Sequence, residues 1–464
     1  MKLKLTIAAI SLSLSASVAY AQEGALKNSQ IQSIRDSYTQ DATTRALRNA
    51  IQSNSSLNAL SLNKDVAGHI DHTFKYKVTP NKTITDQQSS GRCWMFTSMN
   101  VIRPQLVEKF NLESFNFSQN FNYFWDMFEK SNLFLENIIE TADRDIDDRE
   151  VVSYFKSPAD DGGVWNHFYN VSKKYGVVPQ EVMPETAHSN NTTDLVRILK
   201  ERLRKGGYDI RTAVANKASK KEVEAIKMET LKDIYRTLAL CLGEPPVTFD
   251  WKYTDRDGKT QVIKDYTPQA FFADIIPENY TPQSYVMVMN DPTREYYKVY
   301  DIKNYRNTEE GTNWVYLNLP NQDIKAAALK SIKANESMYV SCDVGKQLNS
   351  KEGVLAMNMY DIESLLGINL SMSKQARILT RQSGSSHAMT LVACDTDEND
   401  TPTKWQFENS WGASHGHNGY LTFTDEWFDN YLFRIVVKKD YLDSKAIKAL
   451  EKESVKLPVW DYMF

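Results

Sequence analysis

In the stretch DQQSSGRCWMFTS, residues 86–98, Cys93 stands beside Trp94 where apolar residues begin to recur at helical spacing. A thiol with an ordinary pKa of roughly 8.5 holds little nucleophilic thiolate at neutral pH. A helix N-terminus lowers that value through its unpaired N–H groups and dipole, and a neighbouring imidazolium lowers it further. The first condition is met if Cys93 lies in the first helical turn; the second calls for a histidine distant in sequence and near in space. Of seven histidines, only His387 stands at the entry to an apolar strand-like run, GSSHAMTLVACD, where a strand would hold its ring. His69 and His72 lie in a polar lead-in, His167 in an amphipathic helix, His188 in a loop, and His415 and His417 in a Gly-rich turn. A catalytic imidazole needs an orienting group, and Asn409 of FENSWGASHGHNGY offers a carbonyl that Trp411 could shield from water. Gln87, six residues before Cys93, can donate its amide N–H to an oxyanion together with the Cys93 backbone N–H. Each residue alone has a plainer reading as a buried thiol, a satisfied half-buried ring or a turn asparagine. Their joint occurrence in this order points to covalent catalysis by a cysteine, which requires no cofactor and no metal.

The elements that must position these groups follow from periodicity. The spacing predicts a helix starting near Arg92, which Pro104 should kink or end soon after, and an aromatic-rich core helix over residues 120–139. PADDGGVW, residues 158–165, reads as a turn before a further helix. Two amphipathic helices are expected at 195–206 and 219–243, their basic faces read as solvated surface. VTFDWKY with the Asp257-Gly258 turn signals a hairpin. From about residue 336 short strand candidates dominate: MYVSCDV, AMTLVACD, KWQFENSW, GYLTFT and FRIVVKK. A helical first part, a mixed middle and a strand-rich end make an α+β arrangement.

Gln87, Cys93-Trp94, His387-Ala388 and Asn409-Ser410-Trp411-Gly412 resemble the catalytic set of papain-like cysteine proteases. Within that clan the chain resembles the bleomycin hydrolase and aminopeptidase C family, through SSGRCWMF, DGGVWNHF, LGEPPVTFDW, CDVGKQLNSKEGV, ENSWGASHGHNGYLTFTDEWF and LPVWDYMF. In simple papain relatives the histidine follows the nucleophile by about 130 to 150 residues. Here 294 residues separate Cys93 from His387, which leaves an insertion of roughly 150 residues. The resemblance implies a two-lobed papain-like fold with a large, mainly helical insertion. The expected organisation is 1–21 signal peptide, 22–62 N-terminal segment, 63–194 helical lobe with Cys93, 195–335 insertion, 336–445 strand-rich lobe with His387 and Asn409, and 446–464 C-terminal arm. It also implies a broad aminopeptidase acting on peptides with a free N-terminus, and a homohexameric ring. Substrate would meet Gly162, Gly163 and Trp411, with the arm reaching in as far as Phe464. That arm ends a few residues sooner than the family pattern, and Tyr462 stands where a proline is common. Endopeptidase or oligopeptidase action is therefore the alternative.

Composition narrows the setting. Lys2 and Lys4, an apolar run from Leu5 to about Val18 and Ala19-Tyr20-Ala21 have the three parts of a secretory signal. The run is short for a membrane span, so the expectation is an exported, periplasmic or secreted protein that does not span a membrane. Four cysteines in 464 residues give no disulfide framework, and at most one bridge can form among Cys241, Cys342 and Cys394 if Cys93 stays free. Secreted papain relatives usually carry a bridged cysteine where this chain has Ser90. Metal-dependent hydrolysis through His415 and His417 lacks a complete ligand set. A nucleic-acid- or peptide-binding scaffold using the basic helices is disfavoured for nucleic acid by the net charge of −4.

Overall fold

The computed structural model describes residues 24–38, 40–79, 83–277 and 279–463, so the expected signal peptide and Phe464 lie outside the described residues. Two compact units are present, residues 1–61 and 62–464. The first consists, where described, of helices Asn28–Ser37, Ala42–Gln52 and Leu57–Ser61, with Asp41 capping the second by accepting from the Thr44 N–H. No helix among the described residues is long and apolar enough to cross a membrane.

The second unit is built around helix α1 (Cys93–Lys109), in which Trp94 through Asn100 are all buried. Burial on every side marks a helix enclosed by its neighbours rather than one with a wet face. It ends at Lys109, soon after Pro104, and Ile102 and Leu106 on either side of the proline are fully buried and hold the last turn in place. Helix α2 (Gln119–Glu140) carries the aromatic stripe and is capped by Ser118, whose hydroxyl accepts from the Phe121 N–H at 3.1 Å. Helix α3 (Trp165–Tyr175) follows the glycine turn. The amphipathic pair is α4 (Thr193–Ala215) and α5 (Lys220–Leu242), the latter opened by a Ser219–Glu222 capping box. Gly206 lets them close: a Cβ there would stand 2.6 Å from the Thr230 hydroxyl. The hairpin Phe249–Thr254 and Thr260–Tyr266 turns at Gly258, whose φ is +77°.

The remaining chain builds one large sheet from β1 (Tyr285–Met289), β2 (Lys298–Ile302), β3 (Val315–Asn318), β4 (Met338–Cys342), β5 (His387–Thr396), β6 (Pro402–Glu408), β7 (Tyr420–Thr424), β8 (Leu432–Lys438) and β9 (Val455–Leu457). Their order is β9-β2-β3-β1-β8-β4-β5-β6-β7, followed by the short strands Val354–Leu355 and Leu348–Asn349. Residues 285–318, expected within the helical insertion, thus supply three strands to the same sheet as His387. β4 is buried throughout and β5 over its first eight residues, and the side on which successive residues pack alternates. Tyr339 and Ala388 pack into the helical core with Trp94, whereas Val340 and Met389 pack on the opposite side with Trp405 and Trp427. The sheet therefore presents one face to α1, and the site lies along that contact.

Candidate active site

Cys93 opens α1 directly after Arg92, a fully buried guanidinium paired with Glu185 at 2.9 Å. The Arg92 Nε also donates to the Ser90 hydroxyl at 3.1 Å, which fixes the turn that presents the thiol. Asp161 fastens the facing loop to the same turn. Its carboxylate accepts from the Gly91 N–H at 2.6 Å and from the Thr192 hydroxyl, and its carbonyl accepts from Trp94 Nε1 at 2.8 Å. The next two residues, Gly162 and Gly163, border the cleft. A Cβ on Gly162 would meet nothing, while one on Gly163 would fall 2.6 Å from Trp94. Gly163 is therefore required by packing, whereas Gly162 leaves the cleft side bare.

His387 is the first residue of β5, paired in register with Cys342 of β4. Its Nε2 donates to Asn409 Oδ1 at 2.8 Å, and the same oxygen accepts from the Ser410 N–H at 2.8 Å. Trp411 lies against the ring, centroids 4.8 Å apart, and does not itself line the described cleft. Gln87 is buried and held from both sides. Its Oε1 accepts from the Ser410 hydroxyl at 2.8 Å and its Nε2 donates to the Ser90 carbonyl at 2.6 Å. A primary amide has two N–H groups, so one of them is left for a ligand. Cys93, His387, Gln87, Gly162 and Gly163 all line one cleft of about 1210 Å³.

The electrostatics of the pair follow from enclosure. Cys93 is half-buried and lines the cleft. Burial pushes its thiol up to about 11, while bonds from the Ala388 and Trp94 backbone pull the other way and the Asp161 charge adds to the rise. Burial also holds the His387 imidazole down, to about 4, against the raising effect of Asn409. Each isolated charge is disfavoured here, as desolvation dictates.

The model of the Peptidase C1-like family matches residues 25–464. The chain belongs to that family. It is a cysteine peptidase of papain-like α+β architecture, so the expected fold class and enzyme class both hold. Human bleomycin hydrolase is 36% identical over 412 residues, 87% of this chain and 90% of that protein. Aminopeptidase C of Streptococcus thermophilus is 37% identical, with 92% and 95% covered. The crystal structure of PepW from Lactobacillus rhamnosis HN001 superposes with a TM-score of 0.90 at 34% identity, covering 95% of this chain and 99% of that one.

In the Gly-rich turn His417 stacks on His72, ring centroids 3.9 Å apart. All four cysteines are free thiols. The expected arm lines the cleft through Val459, Trp460 and Asp461, and so do residues to which sequence reasoning gave no role, notably His167, Tyr339 and Arg434. Arg434 carried a signal: it is the lone charge within FRIVV, a run otherwise fit for full burial.

Proposed function

We propose that this peptidase removes residues one at a time from the free N-terminus of peptides, with Cys93 as nucleophile and His387 as base. The observation that carries the catalytic assignment is the His387–Asn409 bond on the wall of the cleft that Cys93 opens onto. With Nε2 engaged by Asn409, Nδ1 is the nitrogen left for the thiol proton. Neither group gains from ionising alone in this enclosure, so proton transfer creates both charges together and each stabilises the other. The thiolate attacks the scissile carbonyl, and the oxyanion is met by the Cys93 backbone N–H and the second Gln87 N–H. The imidazolium then protonates the leaving amine, which departs and leaves a thioester on Cys93. The neutral ring next takes a proton from water as the hydroxide attacks the thioester; collapse of the adduct releases the acid and the Cys93 thiolate, to which the imidazolium returns its proton.

Restriction to the N-terminus rests on the arm. Val459, Trp460 and Asp461 line the cleft, and there they would bar a peptide chain from running on past the arm. The relatives named aminopeptidase C support the same conclusion. Hydrolysis of aminoacyl reporter substrates should vanish in Cys93→Ala, and N-acylation of the substrate should suppress turnover by the intact protein. Full activity in that variant removes the nucleophile assignment. Rapid cleavage of blocked substrates establishes endopeptidase action instead. Export by segment 1–21 and a homohexameric ring complete the proposal. Cell fractionation and light scattering of the purified protein test them, and a cytoplasmic or monomeric protein refutes the respective part.

A further inference from the structure

The floor of the cleft holds buried polar groups that the mechanism does not use. His167 is 5% exposed, and neither ring nitrogen has a hydrogen-bond partner among the described residues. The Tyr305 backbone polarises the ring without meeting hydrogen-bond geometry. Tyr339, 1% exposed, leaves its hydroxyl unpartnered in the same sense. Arg434, 4% exposed, donates from Nη1 to the Tyr305 hydroxyl at 2.8 Å and from Nη2 to the Met463 carbonyl, but its Nε is idle. No carboxylate pairs with Arg434 among the described residues. His167 and Arg434 both lie against Tyr305, whose ring centre is 5.6 Å from that of His167 and 5.3 Å from the Arg434 guanidinium carbon. Tyr339 lines the same cleft, as do Arg434 and Cys93.

Leaving such groups unpaired in a protein interior is costly, and an uncompensated guanidinium is the costliest of them. Exceptions to pairing are concentrated where a ligand completes the set. These groups present an idle guanidinium N–H, a phenol O–H and, since burial keeps His167 neutral, one imidazole N–H. Three donors around an unbalanced positive charge fit a carboxylate. The floor lies at the arm end, where Arg434 holds the Met463 carbonyl, so under the proposed aminopeptidase action it faces the residue next to the peptide's free amine. The geometry points to His167, Tyr339 and Arg434 as a subsite for an acidic side chain, making peptides with N-terminal glutamate or aspartate preferred substrates.

The test compares kcat/KM for Glu-, Gln-, Leu- and Lys-aminoacyl fluorogenic amides. Glu should exceed the near-isosteric Gln by about tenfold, the worth of one charge-assisted contact. Tyr339→Phe and His167→Leu should each lower the Glu-to-Leu ratio by about tenfold on the same reasoning. Arg434→Met should reverse the order of Glu and Lys, and circular dichroism shows whether that variant is folded. Titration calorimetry of the Cys93→Ala protein with Glu-Ala and Gln-Ala reads the preference without turnover. If no amide is cleaved yet Glu-Ala binds tighter, the aminopeptidase assignment fails and the subsite stands. Equal handling of Glu and Gln in both assays overturns the subsite, as does a Glu-to-Leu ratio that Tyr339→Phe and His167→Leu leave unchanged.

Discussion

Enclosure raises the Cys93 thiol to about 11 and lowers the His387 imidazole to about 4, so each depends on the other to become charged near neutrality. Alkylation by iodoacetamide exposes that dependence. In His387→Ala the thiol must ionise unaided, and its alkylation rate at pH 7 should fall roughly a thousandfold against the wild type, recovering only in strong alkali. Equal rates in the two proteins would show that the helix terminus alone activates the sulfur. The same histidine makes stability depend on acid. Its folded value lies below the ordinary 6.5, so between these values the unfolded chain binds the proton and the folded chain does not. Unfolding free energy should therefore fall as pH drops from 6.5 toward 4, by at most about 3 kcal/mol for this one ring. His387→Phe should flatten that part of the pH–stability curve, leaving the slope contributed by His167, which burial also lowers. Gln87 acts at the next atom along the reaction. Removing one oxyanion donor by Gln87→Ala should lower kcat by about 10²–10³-fold with little change in KM.

Helix α1 and strand β6 hold the two halves of this constellation in register through one ion pair. Arg103 donates from Nη2 to Glu408 at 2.9 Å and to the Thr83 carbonyl at 2.8 Å, and both side chains are almost wholly buried. Glu408 immediately precedes Asn409, so the pair fixes the distance between the cysteine helix and the group that orients His387. Breaking a buried pair from one side strands the other charge, and Glu408→Ala should cost about 3–5 kcal/mol. Chemical denaturation measures the loss, and kcat should fall beyond what the unfolded fraction explains. The sequence made the start of α1, the aromatic helix, the helix pair, the hairpin and the strands from 338 onward legible, because each shows its own periodicity. The strands at 285–318 were not legible as part of the main sheet. β1 and β3 pair with each other, but β1 joins the sheet through β8, more than a hundred residues later, and short apolar runs do not name distant partners. Gln87, Cys93, His387 and Asn409 stood out by residue type and order. His167, Tyr339 and Asp161 did not, since their importance comes from which atoms are left unpaired or tied together in three dimensions.

Among the described residues the C-terminal arm contributes Val459, Trp460 and Asp461 to the lining of the cleft. β9 extends the sheet in parallel beside β2, and the chain then crosses to the cleft, where Trp460 lies under Arg149 at 4.7 Å. The firmest anchor is Asp461, which pairs with Arg294. That guanidinium also binds Asp291 at 2.9 Å and stacks on Tyr462 at 4.5 Å. The Asp461 side chain is only 5% exposed, so loss of its counter-charge leaves a buried carboxylate that favours solvent over the docked position. A penalty of about 3 kcal/mol from breaking such a pair raises the undocked population by roughly a hundredfold. Arg294→Ala should therefore free the arm end of the cleft, with hydrolysis of N-acetylated peptides rising relative to free-amine substrates. Asp461→Asn provides the companion variant, because it keeps the side-chain shape and leaves Arg294 paired with Asp291. A smaller rise in the same ratio is expected for it. The ratio of blocked to free turnover isolates arm position from general damage, since misfolding lowers both rates together. If neither variant moves that ratio while the Cys93 chemistry stays intact, the arm does not set where a peptide must end.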